Sequence, residues 1–207
     1  AQFATEVADC YGLVGGIERR WAIDSAAEER DAHFRASILA YDQGFKVEGD
    51  PRYGLVNSYN RLNRLLSRLL LKPELLEGGV VDLGPELGAL NVREELENTG
   101  QVIRDQLSST RRGDFWAMAD LAMIEVILGS ADPVTAYGDF NAKSPPDFAY
   151  KSALAGLPRD AHGHVQLAHL DFGKLVAREV SKLYTERTGR TKKLTGGCVT
   201  VKIRRGD

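Results

Sequence analysis

The sequence predicts an all-α protein, and three observations carry that expectation. Apolar residues recur at steps of three and four over most of the chain, which is the period of one helix face rather than of a strand. Glycine and proline gather mostly between these periodic stretches, where they read as breaks between helices. Only Cys198 to Ile203 alternates like an edge strand, and one strand makes no sheet.

The stretch from Asp31 to Leu71 organises the rest. Phe34, Ile38, Tyr41 and Phe45 line one helix face, the corner Glu48-Gly49-Asp50-Pro51 ends that helix with a left-handed glycine exit, and a second helix runs from Tyr53 to Leu71. Leu55, Tyr59, Leu62, Leu65, Leu66 and Leu69 form its apolar stripe, so the two arms are expected to pack antiparallel. Before them, Val7, Cys10, Tyr11, Val14, Ile17 and Trp21 predict a helix over Thr5 to Ala22 with these residues as its buried face. Gly12, Gly15 and Gly16 inside it point to a close helix approach; no Gly-Lys-Ser/Thr follows to make a phosphate loop. Ile23 to Arg30 reads as a polar connection in which Asp24 or Ser25 caps the next helix.

Lys72-Pro73 stops the second arm, because the residue before proline is pushed out of helical geometry. Glu74 to Leu90, with four glycines and Pro85, reads as a long loop with a short helical turn at Glu86 to Leu90. Asn91 caps a half-wet helix over Val92 to Arg112. Phe115 to Leu128 is apolar nearly all round and is expected at the buried centre, ended by Gly129. A short helix from Asp132-Pro133 carries Val134, Tyr137 and Phe140, and Ser144-Pro145-Pro146 breaks the chain again. Helices from Asp147 to Leu157 and from His164 to Arg187 follow, then a basic tail. The expected organisation is a helical domain over 1–187 and a tail or edge strand over 188–207.

Composition excludes some classes of function. With 207 residues, 43% hydrophobic and 27% charged, the chain belongs with soluble globular proteins, and a formal charge of −2 offers no global attraction to nucleic acid or anionic membrane. Cys10 and Cys198 have no metal-ligand spacing, which suits a reducing, cytoplasmic setting. No apolar run approaches the roughly 20 residues of a membrane span. Ala1 in place of an initiator Met suggests a processed chain or a piece of a longer one.

Ser37-Ile38-x-x-Tyr41-x-x-Gly44-Phe45 resembles the second helix of a tetratricopeptide repeat, and Tyr11-x-x-Val14-Gly15 resembles its first. Leu121-Ala122 through Gly129 with Ala136-Tyr137 is a fainter echo. The implied pairs are Thr5–Ala22 with Asp31–Lys46, Tyr53–Leu71 with a divergent partner, and Phe115–Leu128 with Pro133–Phe140. Insertions at 23–30 and 74–90 break the 34-residue period, so the resemblance implies a compact, degenerate array. Within that superfamily the arrangement is similar to the helical TRAF-binding domain of the apoptosis signal-regulating kinases and its bacterial relatives. That resemblance implies a binding or regulatory module of a kind that attaches to sensor or effector domains, with no catalytic residues to carry over.

Asn57, Asn60, Arg61, Arg64 and Arg68 lie on neighbouring faces of the second arm, opposite its leucines. Two readings compete: a solvated face paired with local acids, or a strip whose guanidinium groups grip the carboxylates of an acidic peptide. Asp120 and Glu125 interrupt the apolar helix, and each is expected in a salt bridge to an arginine, since a buried carboxylate is costly unpaired. They sit about 140° apart on the helix and do not form an acid/base pair. His162, His164, His169 and Asp171 do not converge as metal ligands would, so no metal or other cofactor is expected. Asp171-Phe172-Gly173 lacks the rest of a kinase, and the Arg-Gly-Asp triplets at 112 and 205 come with no secretion signal.

The expected function is therefore a protein–protein interaction or regulatory module, not an enzyme, that binds an acidic peptide or a partner domain. A second expectation is a small-molecule sensor or enzyme closed by the 74–90 loop. A third is a nucleic-acid-associated regulator using Arg187, Arg190, Lys192, Lys193, Lys202, Arg204 and Arg205, although the tail has no interleaved aromatics for base stacking.

Overall fold

In the computed structural model, residues 2–149, apart from 56, 132 and 147, together with 153, are described. The expected helices beyond 153, the histidine cluster and the basic tail lie outside the described residues. Among the described residues the fold is all-α apart from one two-residue ladder. Helices α1 (Gln2–Asp24), α2 (Ala27–Glu48) and α3 (Tyr59–Leu71) come first, then a 3-10 turn (Pro73–Glu77) and strands β1 (Val81–Asp82) and β2 (Ala89–Leu90). Helices α4 (Val92–Ser108), α5 (Phe115–Leu128), α6 (Pro133–Ala136) and α7 (Gly138–Ala142) complete the described order. Among the described residues no helix is long and apolar enough to cross a membrane.

Boundaries differ from expectation for local reasons. The 23–30 connection shrinks to Ser25 and Ala26: α2 opens on Ala27-Glu28-Glu29, whose acids favour the positive helix end, and Ala26 stands at the N-cap with no side-chain cap. Gly49 leaves α2 with φ −80°, so the corner needs no left-handed residue. The second arm starts at Tyr59, not Tyr53, because Gly54 turns the backbone at φ +59° and the Asn57 side chain accepts from the Tyr59 amide. Helix α4 stops at Ser108, not Arg112, where the Ser108 and Ser109 hydroxyls donate to the Asp105 carbonyl at 2.8 and 2.6 Å.

Other ends match their signals. Asn91 accepts from the Glu94 amide, and Asp114 accepts from the Trp116 and Ala117 amides, which gives the Arg112-Gly113-Asp114 triplet a capping role. Gly129 ends α5 in the left-handed region at φ 69°, which glycine adopts without strain.

The 74–90 segment is not an open loop. Leu75 and Leu76 of the 3-10 turn are buried in the main core, and β1 pairs antiparallel with β2, Val81 with Leu90 and Asp82 with Ala89, where a helical turn was expected. The hairpin is tied to the helices by Arg35 Nη1 donating to the Leu83 carbonyl at 2.9 Å.

The centre of the fold is α3 rather than α5. Leu62, Leu65, Leu66 and Leu69 enter one core with Leu96, Ile103, Ile124 and Phe140, and Ala149 and Ala153 close it. The polar side of α3 is equally enclosed, against α1, α2 and α4. Contacts pair Ser37 with Ser67 and Gly44 with Asn60, so α2 and α3 run antiparallel as expected. The tight approach of α1 is also borne out: a Cβ on Gly15 would stand 2.8 Å from the Tyr41 ring, and one on Gly12 2.8 Å from Tyr59.

Which face of α1 is buried is reversed from expectation. Ala4, Ala8, Gly12, Gly15, Gly16 and Ala22 point inward, while Tyr11, Val14 and Trp21 are exposed. Aromatic rings from α2 and α3 occupy the volume on the inner side, so only small residues fit there.

Candidate functional site: a buried arginine–carboxylate cluster

The predicted polar strip is present on α3, but most of it is inside the protein. Asn60, Arg64 and Arg68 are buried, while Asn57 and Arg61 are half-buried. This corrects the expectation of a solvent-facing strip, and the physical cause lies in two acids supplied by neighbouring helices. Arg68 forks onto Asp42 of α2 at 2.7 and 3.2 Å and donates to the carbonyls of Arg64 and Leu87 at 3.2 Å. Arg64 pairs with Glu95 of α4, and its Nη1 stands 3.7 Å from Asp42. Phe45 lies under both remaining cations, 4.1 Å from the Arg64 guanidinium carbon and 5.5 Å from that of Arg61. Arg61 Nε donates to Thr99 Oγ1 at 3.1 Å.

Burial pulls the Arg64 guanidinium below its ordinary range, and Glu95 and Asp42 pull it back. Three guanidinium groups face two carboxylates here, which leaves one positive charge uncompensated within the cluster, nearest the accessible Arg61. The arrangement holds α2, α3, α4 and the hairpin in one register. It contains no nucleophile placed beside a base.

Asp42, Phe45 and Glu95 are members of the cluster that sequence reasoning missed. Asp42 and Glu95 stand 26 and 31 residues from their arginines, so no local spacing links them. Phe45 was expected in the apolar stripe and instead serves as a platform for cations.

A second polar knot joins α1, α2 and α3. Asn60 Nδ2 donates to the Ala8 carbonyl at 3.0 Å and to Glu48 Oε1 at 2.8 Å, while Asn60 Oδ1 is buried without a hydrogen bond among the described residues. Burial pushes the Glu48 carboxyl up to about 7, against hydrogen bonds from the Asn60 side chain and from the backbone of Asn60 and Arg61. The folded state therefore holds this proton more tightly than the unfolded chain does. The contribution is fully present below about 4.5, fades as pH rises to about 7, and is absent above. Glu48→Gln should abolish that trend, so the stability difference between wild type and variant should shift by roughly 2–3 kcal/mol between pH 4.5 and 7. Urea titrations across that window check it; a flat difference would refute the assignment.

The two carboxylates of α5 separate in role. Glu125 forms the expected salt bridge, with Arg104 of α4 at 2.9 Å. Asp120 does not: it accepts from the Ser58 hydroxyl at 2.7 Å, and Arg111 reaches the same hydroxyl at 2.9 Å. Burial raises Asp120 to about 6, opposed by Ser58 and by the charge of Arg111. Among the described residues no group of three or more His, Cys, Asp or Glu is placed to hold a metal ion.

The outer face of α1 is largely exposed, with Trp21 meeting the His33 ring of α2 edge to face at a centroid distance of 5.6 Å. Phe3, Leu13 and Trp21 are more than half exposed, and Val14 is 49% exposed. Compared with protein-family models, curated proteins and solved structures, the chain gives no match.

Proposed function

We propose that this chain is a protein–protein interaction or regulatory module of the degenerate tetratricopeptide-like kind, working in the cytoplasm. The observation that carries the reading is the outer face of α1. A helix whose inner side is filled by alanine and glycine presents its large apolar residues to solvent, and contiguous apolar patches of that sort mark interaction sites. The exposed free thiol of Cys10 suits a reducing setting. The acidic-peptide form of the reading narrows to Asn57 and Arg61, because Arg64 and Arg68 are already neutralised by Asp42 and Glu95.

The test is affinity capture from a source lysate with wild type, Val14→Glu and Arg61→Glu, followed by mass spectrometry of protein and small-molecule fractions. Each replaced side chain reaches solvent, so the fold should survive both changes. At least one protein should be captured by wild type and fall by roughly tenfold or more in a variant. A metabolite retained by all three, with no enriched protein, would overturn the reading in favour of a sensor or enzyme.

A further inference from the structure

The outer face of α1 carries more than apolarity, because its residues are ordered in a repeat. Phe3, Cys10 and Ile17 stand seven apart, and so do Val7, Val14 and Trp21, the two series interleaving at steps of four and three. That is the heptad seam by which one helix packs against another of similar length. At 1.5 Å per residue the seam is about 27 Å long. Phe3, Cys10, Val14 and Trp21 are exposed, and Val7 and Ile17 half-buried, so all six are open to a partner from outside.

We infer that a second copy of this chain covers this seam, its α1 running antiparallel about a two-fold axis at the level of Gly12. This rests on the interaction-module reading and names the partner of α1. Self-complementarity supplies the argument. With the copies antiparallel, Phe3 falls opposite Trp21 of the second copy, Val7 opposite Ile17 and Cys10 opposite Val14, so every layer is filled and the largest residues meet at the two ends. The flanking positions agree: Glu6 falls beside Arg20 of the second copy, twice by symmetry, and the exposed Leu13 meets its own counterpart at the axis. A parallel copy would set Glu6 against Tyr11 and leave Arg20 facing Ser25, so charge selects the antiparallel form.

For a seam of six residues on one helix the expected dissociation constant is roughly micromolar. Sedimentation equilibrium of the full chain under reductant, from sub-micromolar to hundreds of micromolar concentration, reads it directly. Wild type should dimerise, and Val14→Glu, an exposed site whose fold is checked by circular dichroism, should weaken the dimer by roughly 30-fold or more. Glu6→Arg and Arg20→Glu should each weaken it, and the double variant should restore it, since the pair is then present with its signs exchanged.

A wild type that stays monomeric throughout overturns the inference, whether the seam is covered by residues 164–187 of the same chain or by a different protein. A dimer indifferent to Val14→Glu overturns it as well, and charge-swapped singles not rescued by the double overturn the antiparallel pairing. If wild type is monomeric while Val14→Glu still abolishes capture of another protein, the second copy is wrong and the interaction module stands.

Discussion

Arg68→Ala should lower folding stability by about 3–5 kcal/mol, the range for removing one partner of a buried ion pair. The side chain of Arg68 is 3% exposed and makes four hydrogen bonds, two to Asp42 and one each to the carbonyls of Arg64 and Leu87. Removing it leaves Asp42 with only the more distant Arg64, and strips the hairpin of one of its ties to the helices. Arg68→Lys should rescue little, because a single ammonium cannot span both carboxylate oxygens and reach Leu87. Urea unfolding of Arg68→Ala, Asp42→Ala and the double variant provides the check. The double should be less destabilised than the sum of the singles by at least about 2 kcal/mol. Strict additivity would show that the two side chains are not coupled as the geometry requires.

Gly44→Ala should be nearly as damaging, at about 2–4 kcal/mol, although it adds a single methyl group. A Cβ at this position would lie 2.5 Å from both Cγ and Nδ2 of Asn60 and 2.7 Å from its Oδ1. The amide cannot move aside without releasing Ala8 and Glu48, the two acceptors that it joins. The expectation is specific to that clash, so adding Gly44→Ala to an Asn60→Ala background should cost less than about 1 kcal/mol. Thermal unfolding of the four proteins settles it; an equal penalty in both backgrounds would place the strain elsewhere.

The tetratricopeptide-like triad Ser37, Tyr41 and Gly44 was singled out for its small-aromatic-small pattern, and all three are buried at contacts with α1 or α3. Ser37 donates to the Gly15 carbonyl at 2.8 Å, Tyr41 fills the space over Gly15, and Gly44 admits Asn60. These are packing roles, and any helical hairpin of this closeness needs them.

What the residues by themselves determined was the all-α class, the antiparallel second and third helices, the stop before Pro73, the cap at Asn91, and the ends of α5; the cap at Asp114 emerged only in the structure. These depend on periodicity over a few turns and on backbone groups satisfied within four residues, which is information carried locally. The apolar faces of α2 and α3 were legible and are inside, but the tertiary structure alone decided which side of α1 is inside and that the polar side of α3 is enclosed as well. Helix α1 has two candidate faces, one of large apolar residues and one of alanine and glycine, and hydrophobicity favours the first. Close packing against Tyr41 and Tyr59 requires the second, because only a face without side chains accepts those rings. On α3 the same kind of decision ran the other way: two of the three arginines expected in water, Arg64 and Arg68, lie under α2 and α4, since Asp42, Glu95 and Phe45 arrive from distant parts of the chain to compensate them. A charge is buried or solvated according to partners that sequence spacing does not connect, so the geometry of this cluster existed only once the helices had assembled.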